Sequence, residues 1–298
     1  MTRPEPARPF RTADGGVLRG PWLGQPAPSA QPVEFCPEIY STKRHTFCTA
    51  FSPAGDELFF ATENPSSGAA DLAWMRMQDG IWREPRPGPF NSAWTDNDIC
   101  MSPDGSRVCW RSWRPLPGRT EPEERSALWA SDRTKEGWGE PFPVECAGET
   151  QFGGYPGIAR RGSVYFAGRR TPDECCVYRA SPSGRAYEAR EPVLCGMTAG
   201  GDLCIAPDES FLIIACWHLP ENNGESDLYV SFRLHEGRWS SLRNLGTPIN
   251  SELNENCPML SSDGKRFFFF RCDPRNKVSR TFWVDASIVE RLRPDPEA

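Results

Sequence analysis

Residues 260–270 read LSSDGKRFFFF and residues 101–110 read MSPDGSRVCW. In both, an apolar residue leads into a short turn that opens on Ser and closes on Asp-Gly, and a strongly apolar strand follows. Asp hydrogen-bonds its own backbone two residues on and Gly supplies a positive φ, so the phrase encodes a tight β-hairpin. It recurs with variation as FSPAGDELFF at 51–60, IARRGSVYF at 158–166 and IAPDESFLII at 205–214. The anchors Ser52, Ser102, Ala159, Ala206 and Ser261 stand 47–57 residues apart, the length of one four-stranded sheet with its loops.

Each unit continues into a third strand: DLAWMRM at 71–77, SALWASD at 126–132, CCVYRAS at 175–181, SDLYVSF at 226–232 and RTFWVDA at 280–286. In four units an aromatic then opens a fourth strand, in IWREP, GWGEP, AYEAREP and RWSSL. Trp82, Trp138 and Trp239 at these positions read as packing between sheets. The fifth unit runs out after its third strand, while PWLGQPAPSAQPVEFCPEIYS at 21–41 precedes the first unit with no sheet of its own. Separate four-stranded sheets leave edges and faces unsealed; a ring buries each face on its neighbour, and a strand donated from the N-terminus closes it. The expected fold is therefore an all-β, five-bladed β-propeller of four-stranded antiparallel blades. The blades span about 45–92, 93–148, 149–197, 198–250 and 251–290, the last completed from 22–41. Residues 1–21 are expected to be a flexible N-terminal segment, and 22–298 a single domain.

Composition narrows the partners. Lys and Arg number 34 against 40 Asp and Glu, a net charge of −6, so the chain carries no footprint for nucleic acid, and no long apolar run suggests membrane insertion. The N-terminal residues MTRPEPARPF hold charges and prolines where an export signal needs an apolar stretch, which makes the cytoplasm the expected compartment. The 12 cysteines lack CxxC spacing and several lie in apolar strands, so free buried thiols are expected, with the DECC pair Cys175 and Cys176 the candidates for exposed thiol chemistry.

The phrases SPDGSR, SSDGKRFFFF, SDLYVS, GWGEP and LGTPINSELNENCPMLSSDGK resemble the TolB-like (WD-type) β-propeller repeat over residues 22–290. Units three and four carry RRGS and PDES in place of the usual turn. The resemblance implies a propeller fold and binding of a ligand or protein through the funnel, often in the cell envelope, and it implies no catalysis.

With the Ser-Pro-Asp-Gly turns at the bottom, the long segments near NPSSGAA, RSWRPLPGRTEPEERS and CWHLPENNGES lie on top. Aligning second strands puts Glu63, Trp113, Arg169, Trp217 and Cys272 at the upper rim, with Asn64, Arg114, Arg170, His218 and Asp273 beside them. Aligning first strands puts Asp96 and Glu255 six residues before the anchor, and Asp98 and Asp202 four before it; Asn256, Cys257 and Cys48 hold comparable places. Aromatic walls with convergent charges make a binding site for a small polar molecule, peptide or protein, formed by these rim residues with His45. The alternative is a hydrolase, glycosidase-like, using Asp96, Asp98, Asp202 and Glu255 with His218. Each acid also has a structural reading, as a bridge between sheets, and His235 reads as a surface group on a bottom turn. No cofactor is expected; the histidines lack zinc-site spacing, and the oxygen-rich strings TDND and NSELNEN are the places where Ca²⁺ would bind.

Overall fold

A computed structural model describes residues 7–40, 45–64, 69–197, 200–273, 275 and 278–295. The chain folds as an all-β propeller of small antiparallel four-stranded sheets. The first sheet runs Thr46–Phe51, Glu57–Glu63, Ala70–Gln78 and Ile81–Trp82, with Arg86–Pro87 also paired to its third strand. The second holds Asp96–Met101, Arg107–Ser112, Ala127–Asp132 and Phe142–Pro143; the third Gly154–Ile158, Val164–Thr171, Glu174–Ala180 and Glu191–Met197. The fourth holds Gly200–Ile205, Phe211–Trp217, Ser226–Phe232 and Arg243–Asn244. The fifth joins Asn254–Leu260, Arg266–Asp273 and Val278–Asp285 to the N-terminal strand Val33–Glu34, with Val33 opposite Trp283.

Six sheets are present among the described residues, which corrects the expected five. The sixth consists of the short strands Glu145–Cys146, Glu149–Thr150, Pro182–Ser183 and Ala186–Tyr187. It escapes the repeat because it contains no Ser-Pro-Asp-Gly hairpin and is assembled from two distant connections, joined by the parallel pair Cys146 and Tyr187. AYEAREP accordingly divides: Ala186–Tyr187 goes to the sixth sheet, and the fourth strand of the third is Glu191–Met197. The first strands of the five longer sheets lie side by side in chain order, and Thr46–Phe51 also meets Asn254–Leu260, so they ring an axis.

Side-chain alternation fills the gaps between sheets. In the run Phe267 to Phe270, Phe267 and Phe269 pack with Phe211, Ile213 and Phe232, while Phe268 points the other way into a cluster with Phe35 and Trp283. A strand buried on both faces reads as continuously apolar, as this one does. Residues 7–21 lie along the first sheet, with bridges Pro9 to Arg83 and Arg19 to Ile81. No helix among the described residues is long and apolar enough to cross a membrane.

The turns behave as their chemistry requires. Ser102 Oγ accepts the Arg107 N–H and donates to Asp104, whose carboxylate takes the Ser106 N–H and hydroxyl; Gly105 follows at φ +72°. Burial pushes the Asp104 carboxyl up, and these bonds together outweigh it and hold the group below its ordinary pKa. Asp104→Ala is expected to cost about 1 kcal/mol in chemical denaturation, the net worth of one such turn hydrogen bond. In the altered PDES turn, Glu209 occupies the glycine place at φ +62°, and its carboxylate accepts Tyr165 and Arg179 and pairs with Arg233. The unusual residue is thus a bridge between the third and fourth sheets.

Candidate functional site

Four residues before each anchor, the first strands break their ladder. Pairing slips between Phe47 and Ala50, Asn97 and Cys100, Gly154 and Gly157, Gly200 and Leu203, and Asn256 and Met259. Such bulges re-aim a side chain. Cys48, Asp98, Tyr155 and Cys257 sit there with φ between +46° and +53°, a conformation costly to residues with a Cβ. In the fourth sheet Gly201 and Asp202 share the bulge; a Cβ on Gly201 would stand 3.3 Å from the Tyr155 ring, so glycine there makes room for the tyrosine.

These residues meet in a closed polar neck. The Cys48 thiol lies 3.9 Å from Asp98 Oδ1, and Cys48, Asp98 and Cys257 line one small cavity. Cys257 donates from its backbone N–H (2.9 Å) and its sulfur (3.3 Å) to Asp202 Oδ2. The Tyr155 hydroxyl leans on the Asp202 carboxyl, yet Asp202 Oδ1 has no partner at hydrogen-bond geometry. Arg111 pairs with Asp98 at 3.3 Å, bonds Ser126 and lies over the Trp113 ring at 4.1 Å. Burial pushes Asp98 up to about 7; Arg111 opposes the shift and Asp202 adds to it. Burial likewise raises Asp202, with the Cys257 N–H working against it. The cavity inside the neck is about 10 Å³, at most one water.

The other two acids stay in their own sheets. Asp96 takes Arg114 (2.7 Å), the Trp110 indole N–H (3.0 Å) and the Ser92 N–H and hydroxyl. Glu255 takes Arg271 (2.6 Å) and the Ser251 N–H and hydroxyl. Asp96 and Asp98 of TDND and Glu255 of NSELNEN are thus each engaged with an arginine. Among the described residues, the one group with clustered metal-ligand atoms is Glu174, Cys176 and Cys195, and its two cysteines form a disulfide. Cys175 and Cys176 are buried, not exposed, because DECC opens an inner strand of the third sheet.

Of the predicted rim, Trp113 and Trp217 are half-buried, Trp113 under the Arg111 guanidinium and Trp217 close to Gly201. Arg114 is drawn inward between the Trp110 and Trp129 rings. Arg169 and Arg170 are exposed and turn back on their own hairpin, to the Pro172 carbonyl and to Glu174. His218 is exposed at φ +58°, with its N–H on the Glu225 carbonyl, and His235 is exposed in a short 3₁₀ turn. His45 Nδ1 lies 3.2 Å from Glu63, and its ring packs 5.1 Å from Phe47 and 5.2 Å from Phe270. Glu63 and Asn64 line a separate cavity on the flank of the first sheet. Tyr155, Asn97 and Arg111 were not singled out from the sequence; the four-before-anchor column that contains Asp98 and Asp202 also contains Tyr155.

No protein-family model matches the chain, and no curated protein matches it. Solved structures do. A protein assigned as a TolB, from Agrobacterium tumefaciens, is 17% identical, with 78% of this chain aligned to 72% of that one and a TM-score of 0.53. TolB from Acinetobacter baumannii is 9% identical at a TM-score of 0.51; 82% of this chain is covered, and it spans 56% of that protein. A protein assigned as a glycoside hydrolase, from Bacteroides ovatus, is 12% identical at a TM-score of 0.52, over 94% of this chain and 98% of that one. The fold is that of a TolB-like β-propeller; identities this low speak for the fold alone.

Proposed function

We propose that the protein is a non-catalytic binding protein that presents the upper mouth of its channel to a small polar ligand rich in hydrogen-bond donors. One observation carries this reading: His45 Nε2, Asn97 Oδ1, Asp202 Oδ1 and Asn256 Oδ1 are buried and have no hydrogen-bond partner. They come from three different first strands and the residue ahead of a fourth. Three of the four are pure acceptors, and an orphaned buried acceptor costs about 1–3 kcal/mol that a donor on a ligand recovers. Phe47, Trp113, Trp217 and Phe270 supply the aromatic wall such a site uses.

The test follows from that cost. Asn97→Leu and Asn256→Leu remove an unsatisfied group, so each is expected to leave the melting temperature unchanged or higher while weakening by at least about tenfold whatever binds in calorimetric screens of sugars, amino acids and short peptides. Variants that bind normally, or a screen with no saturable ligand, count against the proposal.

A second reading, a hydrolase, is favoured by one feature: two buried carboxyls with raised pKa in one channel, a combination that functional sites concentrate. Against it, a neck cavity of about 10 Å³ admits no substrate between them. Turnover of aryl glycosides or lactones that Asp98→Asn abolishes would favour the hydrolase over the binding protein.

A further inference from the structure

A cavity of about 590 Å³ is on the flank of the first sheet and not in the channel. Its floor is apolar: Ile39, Phe60 and Leu72, each at most 5% exposed. Among the described residues, three carboxylates, Glu38, Glu63 and Asp71, stand on its walls against one guanidinium, Arg86. Among the described residues, the polar contacts of these acids are with donors other than Arg and Lys. Asp71 accepts the Asn64 amide at 3.3 Å, Glu38 lies 3.6 Å from the Cys36 thiol, and Glu63 meets His45. Glu57, Asp96, Asp98, Glu209 and Glu255, by contrast, each have an arginine within ion-pair distance. Asn91, also on the lining, gives its amide N–H to the Leu72 carbonyl and leaves a buried Oδ1 without a partner.

We infer that this cavity is a second binding site, independent of the channel, for an amphipathic organic cation: a protonated amine on a compact aromatic or aliphatic body. The volume lies within the ordinary range for small-molecule sites, and an apolar floor under convergent polar groups is how such sites are built. The sign of the walls selects a cation over an anion. The floor selects an organic cation over a metal ion, and no cluster of metal-ligand atoms occurs there among the described residues. The apolar body covers Phe60 and Leu72; the ammonium takes Asp71 and Glu63 and supplies the donor that Asn91 Oδ1 lacks.

Tryptamine, tryptophol and indole-3-propionate share one ring system and differ in charge. In calorimetric titrations of the full chain, tryptamine is expected to bind saturably and at least about tenfold more tightly than tryptophol, with no binding of the propionate. Affinity should fall as salt is raised, because wall charges at a cavity mouth are screened. Asp71→Asn and Glu63→Gln are each expected to weaken tryptamine by about tenfold with the melting temperature unchanged, while Asn256→Leu in the channel leaves tryptamine binding intact. Equal binding of the three compounds, no saturable binding of tryptamine, or insensitivity to both carboxamide substitutions would overturn the inference. A loss of tryptamine binding in Asn256→Leu would also overturn it, by placing the amine in the channel.

Discussion

Phe35→Ala is expected to lower the unfolding free energy by about 3–5 kcal/mol, the cost of emptying a phenylalanine site in a close-packed core. Phe35 is fully buried, with its ring 5.1 Å from Phe268, 4.7 Å from Trp283, 5.9 Å from Phe51 and 5.8 Å from Tyr40. Those partners come from the fifth sheet, the first sheet and the N-terminal segment, so a single ring spans the seam where the two ends of the chain meet. Its backbone N–H also donates to the Thr281 carbonyl at 2.8 Å, next to the paired residues Val33 and Glu34. Removing the side chain should open the seam before the rest of the ring. Hydrogen exchange in Phe35→Ala is then expected to rise along Val278–Asp285 ahead of Ala127–Asp132, which lies in another sheet. A loss under about 1 kcal/mol would show that the N-terminal strand decorates the fifth sheet without closing the ring.

That seam was legible in the sequence for a definite reason. A unit with three strands beside an N-terminal stretch with no unit of its own is an unsatisfied edge, and edges must be disposed of. The hairpin phrase was legible because Ser, Asp and Gly perform specific hydrogen bonding and backbone tasks within a few residues. The sixth sheet was not, since its short strands carry no local signal and exist only where two remote connections meet, as Cys146 does with Tyr187. The same limit divided the acids. Asp96 and Glu255 look like a converging pair in a one-dimensional alignment, but their fate is set by Arg114 and Arg271, which reach them only once the adjacent strands fold back. Asp98 and Asp202 share one column, four residues before the anchor. What the column omits is the bulge that turns those positions into the neck and gathers Cys48, Tyr155 and Cys257 around them. The flank cavity joins Glu38, Glu63, Asp71 and Arg86 from four separate elements or connections, and no spacing rule connects them.

Between about pH 4 and pH 7, stability is expected to fall as pH rises, and Asp98→Asn should flatten that fall. Asp98 is held at about 7, above the 3.8 of an unburied aspartate, because the neck excludes water. The folded state therefore binds a proton that the unfolded chain has released, so each step upward through this window favours unfolding. A displacement of this size corresponds to as much as about 4 kcal/mol across the window. Asp202 is displaced in the same sense and adds to the slope; Arg111 opposes it, and Cys48, Tyr155 and Cys257 complete the surroundings of the pair. Asparagine keeps the shape and an acceptor for Arg111 without a charge to desolvate. Asp98→Asn should match the parent protein near pH 4, where Asp98 is already neutral, and exceed it by a few kcal/mol near pH 8, read from denaturation midpoints at constant ionic strength. Equal gains at both pH values would mean that the carboxyl is ionised throughout and that Arg111 outweighs burial. A gain confined to high pH would identify the neck as a place where the fold carries a charge at the expense of its own stability, a condition that functional sites concentrate.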